Sequence, residues 1–357
     1  MSRVLSRQET TALRGIAIVI IMLHNYCHTF SFAIKESEFY FYWSETQRWA
    51  DYLRHIDSYL LINMFSWGGY MALGVFMFLT GYCLVCRYED GDNPVKVETL
   101  PFIWKHYKKL LALVLVPFAA FTLVHVAVLH DKHISLLSVI GQLGMFNTLV
   151  PGMAIVPRPY WYLSLAMQLY VIYALFRLVP GKASRWFLPL LLIVVGYLLN
   201  LMVDRESEFA FWLLSNSTTA FIPFGMGLLV ARYANHTPSR ATWAVTLVIA
   251  TCAAVACGFN YEAWGLKYGL ATIALIALVK VVRGKALVIA EAVGCVSALI
   301  YVLHPLTRFA VDIVAYQWEW FEKQPHLRLS IFIVSTALAV IIYRKLRIDE
   351  WVKSIFK

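Results

Sequence analysis

Charge is scarce in this chain. Of 357 residues only 15 % are Asp, Glu, Lys or Arg, against 60 % that are hydrophobic. A water-soluble domain carries nearer a quarter charged and half apolar residues, so the balance excludes a disordered chain, a coiled coil and an ordinary cytosolic enzyme. No polar stretch is long enough to form a separate soluble domain; the longest that does not read as spanning lies near 34–67, and the chain is expected to be one domain, 1–357. Cysteine is sparse too. The six thiols all lie in or beside apolar segments, and Cys83-x2-Cys86 lacks the second pair that a zinc knuckle needs, so no metal site is expected. Low-complexity tracts and internal repeats are absent.

What remains is apolar runs of membrane length. A helix needs ~20 mainly apolar residues to cross ~30 Å of hydrocarbon. Ten segments qualify: 12–33, 68–87, 110–130, 159–178, 186–203, 212–231, 241–258, 265–282, 286–307 and 328–346. The fold class is therefore all-α, a polytopic integral membrane protein of about ten transmembrane helices. The sixth segment is broken by Asn216, Ser217, Thr218, Thr219 and Pro223, which predicts an interrupted or re-entrant helix whose freed backbone groups need partners from protein or water. With ten crossings both termini share a side. That side collects 21 of the 31 Lys and Arg but only 8 of the 21 Asp and Glu, and the positive-inside rule makes it cytoplasmic. The first segment is too long, and lacks the small-residue cleavage site, to be a removable signal peptide. The net charge of +10 needs no nucleic acid to explain it; orientation and anionic lipid headgroups account for most of it.

Ionisable groups inside a membrane are costly and tend to be functional. Helix one runs from Arg14 near its cytoplasmic end to His24, ten residues or ~15 Å further on, with Asn25 alongside and His28 one turn beyond. A histidine at that depth can cycle between general base and general acid near neutral pH, or it can be a neutral hydrogen-bonding link between helices. Thr80 and Gly81 in the second segment permit close helix approach. Lys105, Lys108 and Lys109 open the third segment either as snorkelling anchors or as a site for an anionic ligand. Tyr160, Trp161 and Tyr162 fit an interfacial aromatic belt, while Ser164 and Gln168, one turn apart, can line a polar interior. Near the end of the ninth segment stand Ser297, Tyr301 and His304, where Pro305 should bend or end the helix.

Taken in order, these stretches resemble membrane-bound acyltransferase family three. The resemblance rests on Arg14-Gly15 with His24, on Gly74-Val75-Phe76 with Thr80-Gly81-Tyr82, and on the basic run 105–109. Trp161 with Leu163, Ser164, Gln168 and Tyr170, then Ser297 with Tyr301 and His304-Pro305, complete it. It implies ten helices with both termini in the cytoplasm. It also implies transfer of an acyl group, usually acetyl, from cytoplasmic acyl-CoA to a hydroxyl of a glycan or lipid-linked saccharide, in the cytoplasmic membrane if the source is bacterial. His24 would be the base and Arg14 would help hold the donor. The commoner interval between these two residues in the family is eleven; ten leaves them ~80° apart around the helix, which a π-bulge would reconcile, and His28, ~40° from Arg14, is a rival base. Ala166 and Met167 replace two acids that many members carry, and Thr80 replaces a Ser. The branch is divergent, so the acceptor does not follow from the resemblance.

The expected donor contacts are Arg14, Lys105, Lys108, Lys109 and Tyr82. Asn25, Tyr82, Ser164 or Gln168 would donate to the oxyanion, and Trp161, Tyr162, Ser164, Gln168, Tyr170, Tyr301 and His304 would line the acceptor pocket. The aromatic-rich 38–67 loop either stacks on sugar or anchors at the interface. No bound cofactor is expected beyond acyl-CoA as co-substrate, and membrane lipid is the other contact. A transporter or exporter of a polar solute is the competing class, since a buried His and a broken helix also suit a polar conduit. A structural partner in polymer export is a third.

Overall fold

A computed structural model describes residues 3–89, 97–127, 134–181 and 183–356. Among these residues all regular structure is helical: α1 (Arg7–Cys27), α2 (Trp43–Tyr52), α3 (Leu60–Gly68), α4 (Leu73–Tyr88), α5 (Thr99–Ala127), α6 (Leu136–Leu143), α7 (Trp161–Phe176), α8 (Ser184–Met202), α9 (Glu208–Leu214), α10 (Phe221–Tyr233), α11 (Arg240–Gly258), α12 (Lys267–Val281), α13 (Lys285–Cys295), α14 (Ser297–Gln317), α15 (Glu319–Glu322), α16 (Pro325–Lys345) and α17 (Ile348–Ile355). Among the described residues eight helical stretches are long and apolar enough to cross a membrane, or nine if α9 and the helix after it form one bent span. The chain is an all-α multi-pass membrane protein. The 16 residues of α7 rise only ~24 Å.

Most of the ten segments read from sequence coincide with helices whose edges are shifted, but only eight or nine of the described stretches reach membrane length. α1 starts earlier than expected, because Ser6 and Glu9 form a reciprocal capping box. Glu9 also pairs with Lys280 at 2.8 Å, tying the start of α1 to the end of α12. The second segment is longer than 68–87: α3, a 3-10 turn at Gly69–Ala72 and α4 make one apolar stretch, Leu60–Tyr88. The end of the 110–130 segment lies outside the described residues, as do Lys96, Lys182 and Lys357, three of the 21 cations counted on the basic side. The ninth segment is corrected. Residues 286–307 are not one helix, since α13 stops at Cys295 and α14 begins at Ser297, whose hydroxyl donates to Gly294 O at 2.8 Å. Nor does Pro305 end α14, which continues to Gln317. One lost backbone hydrogen bond is outweighed where α14 packs against α16 and α5.

The sixth segment is broken as its polar run predicts. α9 and the helical stretch Ser217–Tyr233 meet at 58°. Side chains satisfy the freed backbone: Asn216 Nδ2 donates to Trp212 O at 2.7 Å and Thr148 O at 2.9 Å, and Ser217 N donates to Gln168 Oε1 at 2.8 Å. Small residues set the closest contacts. A Cβ at Gly81 would stand 2.6 Å from Phe224 O of α10, so α4 and α10 touch backbone to backbone. At Gly69 a Cβ would come within 2.7 Å of His24 Cβ, which presses the 3-10 turn onto the end of α1.

Candidate active site

His24 lies in the last turn of α1 and is 3 % exposed. Its Nδ1 is 2.9 Å from Phe65 O, near the end of α3. A carbonyl only accepts, so Nδ1 donates to it, and in the neutral ring the lone pair lies on Nε2. Nε2 faces a carboxylate, with Glu38 Oε1 at 3.8 Å. The His28 ring is 5.0 Å away edge-on and the Tyr70 ring 5.6 Å away. Bonding through Nδ1 with Nε2 left basic is the arrangement that a general base requires.

Glu38 comes from the loop after α1, which many local bonds fix. Ile34 N donates to Asn63 Oδ1 at 3.0 Å, Lys35 N to Glu45 Oε2 at 2.7 Å, and Tyr268 OH to Glu38 O at 3.2 Å. Phe39 packs edge-on against Trp161 at 5.0 Å. Burial alone would raise the Glu38 carboxyl, but His24 and His28 outweigh it and hold the group down at about 2. Glu36, two residues earlier, is fully buried, and that burial lifts it to about 7 against the pull of Lys267. Lys267 is itself fully enclosed. Its Nζ sits 3.0 Å from the centre of the Trp264 ring and 4.3 Å from that of Tyr70, and makes no hydrogen bond. This end of the site is thus two carboxylates, two imidazoles and a lysine walled by aromatic rings.

At the opposite, basic end, α1 is uninterrupted α-helix from Arg7 to Cys27, without the π-bulge that would bring Arg14 beneath His24. Arg14 is half-buried and its Nε is buried with no hydrogen-bond partner. Arg14, Arg87 and Lys105 all act electrostatically on Lys109, and Lys105 also lies over the Tyr88 ring at 5.9 Å. Four cations therefore share one patch. Lys108 points elsewhere, donating to Phe356 O at 3.3 Å.

Other residues singled out from sequence hold helices together. Asn25 turns away from His24: its Nδ2 donates to Ile21 O and stands 3.4 Å from His304 Nε2, and its own carbonyl accepts from Arg308. Tyr82 OH donates to Leu5 O at 3.1 Å and accepts from Leu5 N. Ser164 donates to Asn147, which donates on to Gln142. Gln168 bridges Thr148 and Asn216, Tyr170 stacks on His106 at 4.0 Å, and Tyr301 OH donates to Pro159 O at 2.6 Å. Trp161 is buried beside Phe39, and Tyr162 lies between Phe76 and Tyr301. None of these contacts is with His24.

Sequence reasoning missed Glu36, Glu38, Tyr70 and Lys267. Lys267 had a signal, a lysine inside an apolar segment. The two acids had a weaker one, carboxylates in an otherwise aromatic loop just after the histidine. All six cysteines are free, and among the described residues no three His, Cys, Asp or Glu side chains are grouped to hold a metal ion.

A membrane bundle with a buried, hydrogen-bond-oriented imidazole facing a carboxylate at one end and a basic patch at the other has the form of a membrane-embedded site suited to general acid–base chemistry. The family can be stated as well. The chain matches the acyltransferase-domain model of the acyltransferase 3 family over residues 9–344, nearly its whole length, and belongs to that family. No curated protein and no solved structure matches it.

Proposed function

We propose that this membrane acyltransferase moves an acyl group, acetyl in the first instance, from acyl-CoA to a hydroxyl of a glycan or lipid-linked saccharide, with His24 as the base. The observation that carries the reading is the His24 ring, fixed through Nδ1 with Nε2 free beside Glu38. Acyl-CoA approaches the basic face, taken as cytoplasmic, where Arg14, Lys105 and Lys109 meet its phosphates. The pantetheine arm spans the ~15 Å to His24. Nε2 then removes the acceptor's hydroxyl proton, the oxygen bonds to the thioester carbon, and the carbon–sulfur bond breaks. The proton passes from the imidazolium to the departing thiolate, leaving ester and free CoA. Glu38, 3.8 Å from Nε2, stabilises the imidazolium in between. Tyr40, Tyr42 and Trp43, partly exposed beside that loop, offer faces for a sugar ring.

The test incubates membranes with radiolabelled acetyl-CoA and an envelope glycan extract. Label enters the glycan fraction with unaltered protein, and His24→Ala at equal abundance lowers the rate by ~10²–10⁴-fold. Full transfer by His24→Ala with loss in His28→Ala would reassign the base. Solute flux independent of CoA, without label transfer, would replace the enzyme reading with a carrier.

A further inference from the structure

A second polar centre lies on the basic face, away from His24. The ends of α4, α7 and α10 and the start of α8 enclose a 440 Å³ cavity lined by Glu89, Arg177, Arg185 and Arg232, with Gly181 and Ser184. Glu89 is the hub. Arg232 grips it with two bonds of 2.7 and 2.9 Å, Tyr173 OH donates at 3.0 Å, Arg185 stands at 3.3 Å and Arg177 at 3.9 Å. Burial alone would raise this carboxyl, yet Arg232 and its neighbours hold it below its ordinary range, so it is charged at neutral pH. Among the described residues lining the cavity, three guanidiniums stand against one carboxylate, an excess of two positive charges.

That surplus is presented rather than hidden. The Arg185 side chain is 48 % exposed, and Arg177 Nε is buried without a hydrogen-bond partner. The 19-residue α8 adds the positive end of its dipole, for it begins at Ser184 with Ala183 at the cap and no side chain satisfying its first N–H groups. The Ser184 hydroxyl is turned back onto Gly181 O at 2.7 Å. A structural pin for four helix ends would need only the Glu89–Arg232 pair and Tyr173. It would not need two further guanidiniums and an uncapped helix start around an open cavity.

We propose that this cavity binds a phosphate ester through Arg177, Arg185 and the start of α8. Two sources carry that chemistry to this face: the nucleotide end of coenzyme A and the headgroup of an anionic phospholipid. Tyr88 packs against Tyr173 at 6.3 Å and carries Lys105 over its ring, so one tyrosine layer separates the cavity from the cations assigned to the donor.

The experiment uses full-length protein in nanodiscs of phosphatidylcholine, at low and high salt, with Arg185→Gln and Arg177→Gln. Both variants retain the Glu89–Arg232 pair, so they should fold. One arm measures affinity for coenzyme A and for 3′-dephospho-coenzyme A. If the nucleotide is the ligand, each variant weakens coenzyme A binding ~10-fold, the effect of one charge-assisted bond, more at low salt than at high. The other arm adds phosphatidylglycerol and follows thermal unfolding. If a headgroup is the ligand, the lipid raises the melting temperature of unaltered protein and not of the variants. Unchanged affinity for both coenzymes together with unchanged lipid stabilisation in both variants overturns the proposal. Neither arm reads turnover, so a protein that binds here but transfers no acyl group would overturn the acyl-transfer reading alone.

Discussion

The two ends of this bundle handle charge in opposite ways. Around His24 each charged group meets a counter-group: Glu38 faces the imidazoles, and Glu36 answers Lys267 inside a ring of Trp264, Tyr70 and Tyr268. At the basic end cations exceed acids, both in the patch of Arg14, Arg87, Lys105 and Lys109 and around Glu89. A matched, buried set suits proton transfer, because little solvent must reorganise. A surplus at the surface suits capture of an anion. On the proposed function, chemistry at one end and donor capture at the other predict that a substitution around His24 moves kcat while one in the basic patch moves KM.

The most direct way to break that division is at Glu38. Glu38→Gln keeps the shape and removes the charge facing Nε2, so kcat should fall ~10–100-fold while KM for the donor holds, within the range for one charged contact to a catalytic group. A rise in KM with unchanged kcat would mean that Glu38 binds substrate. The same residue gives a stability signature. Its carboxyl is held down at about 2 in the folded protein by His24 and His28, so the stabilisation it draws from the charged imidazoles is lost as pH falls from about 4.5 towards 2. Any excess in melting temperature of unaltered protein over Glu38→Gln should therefore shrink as pH falls from about 4.5 to 3, as the carboxyl takes up a proton.

A smaller effect is expected at the other end. Lys109 is exposed and feels Arg14, Arg87 and Lys105 rather than an acid. Lys109→Gln should raise KM for the acyl donor ~5-fold at low ionic strength with kcat unchanged, and ~0.3 M salt should erase most of the difference. A kcat that falls with KM constant would show that the two ends are not separable. Lys108→Gln is the control, since its ammonium is already occupied by Phe356 O.

How much of this the sequence disclosed depends on the range of the interaction. The helices follow from local apolar runs, and the break at 215–216 follows from the polar residues that cause it. His24, Arg14 and the basic run were visible because each is costly where it stands. The partners were not. Glu38 lies fourteen positions from His24 and reaches it only because the loop folds back over the end of α1, and Glu89 meets Arg177, Arg185 and Arg232 from three other helices. The division of α13 from α14 at Val296 was also hidden, because Gly294 and Ser297 are small enough to pass inside an apolar run, and the close contact of Gly294 with Thr11 of α1 is not visible in sequence.

Neighbourhood in sequence misleads most at Asn25, and the smallest prediction tests it. Adjacent helical residues point ~100° apart, so Asn25 faces α14 when His24 faces α3, and its amide lies with His304 instead of His24. A neutral pair between transmembrane helices contributes ~1 kcal/mol. Asn25→Ala should therefore lower the melting temperature by a few degrees while kcat per folded molecule stays within about twofold, and His304→Ala combined with it should add little, because each removes the same contact. Were Asn25→Ala to cut kcat as deeply as Glu38→Gln, an oxyanion donor would have to reach the thioester from the α14 side, and the division of labour between the two ends would need a third station between them.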